Sequence, residues 1–294
     1  MTESITAKAF GKINMTLAVT GRRDDGYHTL CSVMQSISIY NVVKVFKTVG
    51  GGVTLYCDDP TLPTDERNTA YRAAQAFLCY AGLPRRSGIF VKLQKQVPYQ
   101  AGLGSASADA AGVLAACNVL FGAPLSRQRL LELASTIGAD VPFCLTGGTK
   151  LAQGTGDIFT PLPGCPDCSL LILHPDEGVS TPEAYRRFDA LKNPRQPQAQ
   201  PMIDALHGGD LKRIATACGN TFEQCCPVAA VAQMKAALLQ AGALGSAMSG
   251  SGTAVYGLFA DALSAQKARE TLLPFGWKSW LAKPIDCGVA VESF

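Results

Sequence analysis

The period-two alternation of a strand is clearest in "GIFVKLQKQV", where Ile89, Val91 and Leu93 fall on one face. The first third of the chain reads mostly this way. Strands are predicted over Ile5–Ala9, Ile13–Thr20, Val33–Ile39, Val42–Lys47, Val53–Cys57 and Gly88–Gln94. The polar stretch "GRRDDGYH" lies between two of these runs and reads as a loop able to carry function. Helical spacing follows. Ala70, Ala73, Ala74, Phe77 and Leu78 share a face closed by Gly82. Ala110–Phe121 is a helix of small residues. Ser126 caps another with Leu130, Leu133, Ala134 and Ile137 inward, stopped at Gly138. In the second half "CSLLILHP" reads as a strand and "NPRQPQAQP" (Asn193–Pro201) as a mobile loop. Helices are predicted near 210–218, 228–240 and 261–273, and strands near 253–259 and 286–292. The class is α+β.

Length and composition narrow the class of function. At ~150 residues per domain, 294 residues suggest two domains, with a boundary near residue 155 in "GTGDIFTPLPG". The composition, 47% apolar and 17% charged, is that of a globular protein with a sizeable core. A net charge of +3 is too small and too scattered for a nucleic-acid binder. The opening "MTESITAKAFGKIN" has no apolar core, and no run reaches the ~18 residues of a membrane span, so a cytoplasmic location is expected. The eleven cysteines sit mostly in apolar runs and read as reduced, buried thiols. "CPDC" (Cys165–Cys168) has no second pair at zinc-site spacing and reads as a loop between strands.

The stretch "VPYQAGLGSASADAAGVLAACNVL" (97–120) puts glycines and serines at the mouth of a helix. Amide groups at a helix start are unpaired, and the helix dipole adds about half a positive charge there. Glycine lets the backbone approach a ligand, and phosphate is the ligand such a site suits. Other glycine-loop signatures fail: no lysine follows as GxxxxGK requires, and Ser107 occupies the last position of GxGxxG. A tight turn or close helix packing would also account for this stretch alone. It is accompanied, however, by a second Gly/Ser cluster in "GALGSAMSGSGTAVYGLF", by Asp140 in "GADVPF", and by Lys12 and Asn14 in "AFGKINMTL".

In this order, K-I-N, G-R-R-x-D-G-Y-H, P-x-x-x-G-L-G-x-x-S-x-D-A-A, G-A-D-V-P-F and M-S-G-S-G resemble the GHMP kinase superfamily from about Ala9 to Phe259. The contiguous "TGRRDDGYHTL" resembles the branch acting on a cytidine diphosphate-linked methylerythritol in the non-mevalonate isoprenoid route. The resemblance implies two α+β domains, an ATP-binding one at 1–155 and a second at 156–294, with the active site in the cleft between them. It implies ATP and Mg²⁺, and transfer of phosphate to the 2-hydroxyl of that small-molecule substrate by a monomer or homodimer.

Residue by residue, the resemblance makes Asp140 the catalytic acid–base group, where the other reading is a loop-capping aspartate. Lys12 is its cationic partner, and Asn14 a ligand of the polyol. Gly102, Leu103, Gly104, Ser105, Ala106 and Ser107 form the phosphate loop, closed by Gly250, Ser251 and Gly252. Asn68 and Lys95 fall on the adenosine side. Tyr27, His28, Thr181 and Tyr185 fall at the cytidine, although Tyr185 reads equally well as a packing residue of a helix. Ser105 or Ser107 is a candidate ligand for Mg²⁺; no carboxylate is singled out for it. His174 and His207 lie outside these motifs. The loop departs from the family's usual GLGGGSSDAA at Ser105, Ala106 and Ala108. Gln100 stands where glycine is usual and Tyr99 where methionine is common. Each added Cβ narrows the cradle and restricts φ. Two other readings stay open: a related kinase for homoserine, a sugar or a mevalonate-type alcohol, and a nucleotide-binding protein without turnover.

Overall fold

The early alternating segments merge into two long antiparallel strands, β1 (Ser4–Arg22) and β2 (His28–Val49). They form the spine of a computed structural model that describes residues 3–84 and 86–292. Gly11, which splits β1 in the sequence pattern, lies inside it. A Cβ there would sit 3.2 Å from Val97 Cγ1 and 3.3 Å from the Leu103 carbonyl, so glycine marks a close approach and not a strand end. The β1–β2 register shifts between Phe10 and Lys12 and again between Asn14 and Thr16. Such bulges re-aim side chains, and these two bracket Lys12 and Asn14.

β3 (Gly52–Cys57) and β4 (Ser87–Gln94) are parallel, joined by helix α1 (Thr69–Tyr80). Then follow α2 (Ser105–Leu120), α3 (Arg127–Ile137), α4 (Val141–Thr146), β5 (Thr149–Gln153) and β6 (Ile158–Pro161). β7 (Ser169–His174) starts the second sheet, and α5 (Thr181–Asp189), α6 (Ala199–His207), α7 (Leu211–Ala217), β8 (Gly219–Asn220) and α8 (Ala229–Gln240) come next. β9 (Gly245–Met248), β10 (Val255–Phe259), α9 (Ala262–Leu272), β11 (Lys278–Ala282), β12 (Pro284–Ile285) and β13 (Val289–Glu292) complete the order. The first sheet runs β13-β1-β2-β4-β3, with β5, β6, β8 and β12 attached; the second runs β11-β7-β10-β9.

Small residues explain how α2 lies on the first sheet. Ala108, Ala110, Ala111 and Ala116 have no exposed surface, and a Cβ on Gly112 would meet Val43 Cγ2 at 2.8 Å. The helix axis therefore sits close to the strands, in one core with Phe77, Val91 and Phe143. β7 separates two further cores. Leu170 and Ile172 face Ile13, Ile37 and Tyr256; Leu171 and Leu173 face Met234 and Phe259. Strand side chains alternate in direction, so burial of both faces accounts for the uninterrupted apolar run "SLLIL".

Three expectations change. Asn193–Pro201 is not wholly loop, since α6 begins at Ala199 and buries Met202, Ala205 and Leu206. The cysteines are less uniformly buried than their apolar neighbours suggest: Cys79 and Cys287 are exposed, and Cys57, Cys117, Cys144 and Cys168 are buried. Burial pushes the Cys117 and Cys144 thiols well up. α4 was not marked by the sequence pattern, and α5 only through the helical reading of Tyr185. Among the described residues no helix is long and apolar enough to cross a membrane.

A buried ion pair fixes α2 from below. Lys95 Nζ bonds Asp109, whose other oxygen accepts from Asn41 Nδ2 at 2.8 Å. Both ionic side chains are under a tenth exposed. Burial is the largest influence on the Asp109 carboxyl and pushes its pKa up, against the pull of Lys95 and Asn41. Removing one partner leaves an uncompensated buried charge. Lys95→Met is therefore expected to cost about 3–5 kcal/mol of stability in urea unfolding. An unchanged midpoint would show that the pair contributes nothing.

Candidate active site

The two sheets meet around a cleft of about 970 Å³. β1 supplies Lys12 and Asn14 to its floor. Lys12 Nζ donates to Asn14 Oδ1 at 2.7 Å and lies 3.6 Å from Asp140 Oδ2. The Lys12 side chain is 5% exposed and that of Asp140 37%, so the amine is enclosed while the carboxylate faces the cleft. Asp140 stands at the N-cap position of α4 but makes no side-chain cap bond. Its oxygens are thus not spent on capping α4. Asn14 Nδ2 donates to Ser32 Oγ at 2.7 Å, and Ser32 Oγ donates to the Thr16 carbonyl at 2.6 Å. This chain fixes the Asn14 amide and, through it, the amine.

Beside them lies the start of α2, where a Cβ on Gly104 would sit 3.0 Å from Lys12 Cγ. Gly104 is its N-cap, left-handed at φ 71°, with no side-chain cap, so the first amides of the helix are open to a ligand. Leu103 and Ala106 line the same wall, and the Leu103 carbonyl accepts from Lys12 N at 3.0 Å. Gly102 touches the second lobe. A Cβ on it would lie 1.9 Å from the Ser249 carbonyl oxygen. Gly250, Ser251 and Gly252 line the cleft from that side. Gln100, in the place of the family's usual glycine, holds φ 52°, the left-handed conformation that glycine adopts freely.

The two loop serines differ. Ser105 is buried, donates to the Val97 carbonyl at 2.8 Å and is 3.3 Å from Asn41 Nδ2. Its hydroxyl is committed to the floor under the helix, and only its amide faces the cleft. Ser107 lines the cleft, and its hydroxyl has no such inward bond. Asn68 and Lys95 are not among the lining residues. Asn68 caps α1, accepting from Ala70 N at 2.9 Å and donating to the Pro63 carbonyl at 2.8 Å; Lys95 is engaged with Asp109.

At the far end, Tyr27, His28, Thr181 and Tyr185 all line the cleft. Tyr27 sits in the β1–β2 hairpin, 68% exposed. The Tyr185 ring stacks on His28, centroids 4.5 Å apart and planes at 18°, and Phe222 meets Tyr185 edge-on at 5.0 Å. Burial pushes the Tyr185 hydroxyl up to about 12. Tyr185 is thus both things the sequence allowed, a packed helix residue and a wall of the cleft. Because Tyr185 covers one face of His28 while Phe222 and Phe188 pack against the pair, the exposed Tyr27 ring is the surface left for a flat ligand to rest on. Thr181 Oγ1 lies 3.1 Å from Ser251 Oγ and links α5 to the closing loop.

Several residues that support the site from behind, without lining the cleft, escaped the sequence reading. Asn220 Nδ2 donates to the carbonyls of Met248 and Gly250, at 2.8 and 2.7 Å, and Glu223 Oε1 accepts from Met248 N at 2.8 Å. Tyr256 Oη donates to the Asn14 carbonyl at 3.1 Å. Ser249 Oγ donates to the Gly102 carbonyl at 2.9 Å and accepts from Asn14 N at 3.2 Å. Only Ser249 lay in a recognisable motif.

A cation and a carboxylate beside an uncapped helix start, in a cleft between two sheets, are the groups a small-molecule kinase needs. Family models agree: the GHMP kinases N terminal domain matches residues 68–148 and the GHMP kinases C terminal domain residues 202–278. A 4-diphosphocytidyl-2-C-methyl-D-erythritol kinase of Pelotomaculum thermopropionicum is 43% identical over 90% of this chain and 92% of its own length. A crystal structure of a 4-(cytidine 5'-diphospho)-2C-methyl-D-erythritol kinase is 31% identical, with TM-score 0.78 over 95% of this chain and 98% of that one. The homoserine kinase of Cytophaga hutchinsonii shares the fold, with TM-score 0.79 at 23% identity over 99% and 98% of the two chains. The chain belongs to the GHMP kinases and, within them, to the family of the 4-diphosphocytidyl-2-C-methyl-D-erythritol kinases. It is accordingly an ATP-dependent kinase.

Proposed function

We propose that the chain transfers the γ-phosphoryl group of ATP to the 2-hydroxyl of 4-diphosphocytidyl-2-C-methyl-D-erythritol. The observation that carries this reading is Lys12 Nζ 3.6 Å from Asp140 Oδ2, in one cleft with the start of α2 and the His28–Tyr185 stack. The acceptor oxygen bonds to the γ-phosphorus as the bond from that phosphorus to the β–γ bridging oxygen breaks. The hydroxyl proton passes to the Asp140 carboxylate, and ADP leaves. Lys12, held by Asn14, stabilises negative charge on the acceptor oxygen and the phosphoryl group. The open amides at Ser105, Ala106 and Ser107 hold the phosphates, while Gly250–Gly252 face them from the other lobe.

Mg²⁺, when bound, would supply charge neutralisation at the phosphates. Of the two serines, Ser107 fits as its protein ligand, since the Ser105 hydroxyl is already spent on Val97. Asp109 does not fit, being sealed against Lys95 and Asn41. Among the described residues no three His, Cys, Asp or Glu side chains converge to hold a metal by themselves, so its remaining ligands would be phosphate oxygens and water.

Tyr27, His28 and Tyr185 form the cytidine end, and Thr181 borders the path between cytidine and phosphate. Purified chain with ATP and Mg²⁺ should release ADP on this substrate and give a product whose phosphorus NMR shows a new monoester at C2. Faster turnover of homoserine or mevalonate, or none of this substrate, would overturn the reading.

A further inference from the structure

One turn of α5 encloses the His28 imidazole. Tyr185 stacks on its face, Phe188 meets it edge-on at 6.1 Å, and Asp189 Oδ1 lies 2.7 Å from Nε2. Phe188 and Asp189 follow Tyr185 by one helical turn, the spacing that puts side chains on a shared face. Asp189 has a second partner, since its Oδ2 lies 3.5 Å from Arg22 Nη1, which fixes the orientation of the carboxylate. The His28 side chain is 8% exposed.

A carboxylate only accepts hydrogen bonds, so the Nε2 atom facing it carries the proton. In neutral imidazole the other nitrogen is then a bare acceptor. Among the described residues His28 makes no side-chain hydrogen bond other than that to Asp189, which leaves Nδ1 for a ligand. We infer that Asp189 is a positioning residue that fixes the His28 tautomer, so that Nδ1 accepts from the exocyclic amino group of cytosine and disfavours a base with oxygen at that position. This rests on the reading above that the acceptor substrate carries cytidine. A uracil carbonyl would set its lone pairs against those of Nδ1, and a buried group denied its partner is how polar sites discriminate strongly.

The test compares the full-length chain with Asp189→Asn on the cytidine substrate and on its uridine counterpart. The wild type is expected to prefer cytidine by at least about 10²-fold in kcat/KM. The amide introduced by this substitution can donate to Nε2 as well as accept from it, which releases the tautomer. The preference should then fall about tenfold or more through KM for the acceptor, with KM for ATP little changed and part of the preference restored in Asp189→Glu. A variant that keeps the full preference, or that loses kcat equally on both bases, overturns the inference and leaves the substrate reading standing. A wild type inactive on both substrates overturns the substrate reading, and the inference falls with it.

Discussion

Asp140→Asn should lower kcat by about 10²–10⁴-fold, the usual contribution of a positioned general base. The amide is isosteric but cannot take the hydroxyl proton. The cost should fall on kcat because Asp140 makes no cap bond to α4, so its replacement leaves the local backbone undisturbed. The phosphate-binding amides belong to α2, a different element, and ATP affinity by calorimetry should stay within about threefold. Lys12 keeps its bond to Asn14, so the amine should not move far. A variant retaining kcat within a factor of about three would remove Asp140 from the chemistry.

Gly102→Ala should damage both binding and stability. Gly102 has φ 75°, where a Cβ costs about 1–2 kcal/mol on its own. That Cβ would also lie 1.9 Å from the Ser249 carbonyl oxygen and 2.7 Å from its carbon. Both are backbone atoms, so no rotamer change relieves the clash and the two loops must part. The bond from Ser249 Oγ to the Gly102 carbonyl would go with them. KM for ATP is expected to rise tenfold or more, about 1.4 kcal/mol of lost binding, with a lower thermal midpoint. Wild-type values for both would mean that the loops do not need this contact.

The parts of the fold legible in the sequence were those with a long, regular pattern. α1 and α3 follow their apolar spacing, α8 and α9 fall within the ranges expected for them, and β4 follows its alternation. α4 escaped because six residues containing Pro142 are too short for a periodic signal. α6 began within a segment whose prolines and glutamines masked its apolar side. At the site, motif residues such as Lys12, Asp140 and Gly102 were legible because charge or glycine stands out in its surroundings. Asn41, Asn220 and Tyr256 were not. Each is a polar residue in or beside a strand, and its partners lie far along the chain: Asn220 bonds carbonyls 28 and 30 residues on. Ser105 shows the converse, a residue in a binding motif whose hydroxyl the fold turns inward, towards a carbonyl no local pattern could reveal.

Hydrogen bonds stitch the segments around Asn14 and Gly102 to the strand and loop at 249–256: two through Ser249 Oγ, one from Tyr256 Oη shared between the Asn14 and Met15 carbonyls, and one from Ala254 N to the Ala101 carbonyl. The back of the nucleotide cradle is therefore riveted. The lobes cannot swing apart along this seam without breaking it, and any opening that admits a substrate must occur at the other rim, where the Arg23–Tyr27 hairpin turn is exposed. Amide hydrogens of Asn14 and Ala254 should accordingly exchange slowly and that of Gly26 fast. Rapid exchange at the seam would mean instead that the molecule breathes from behind.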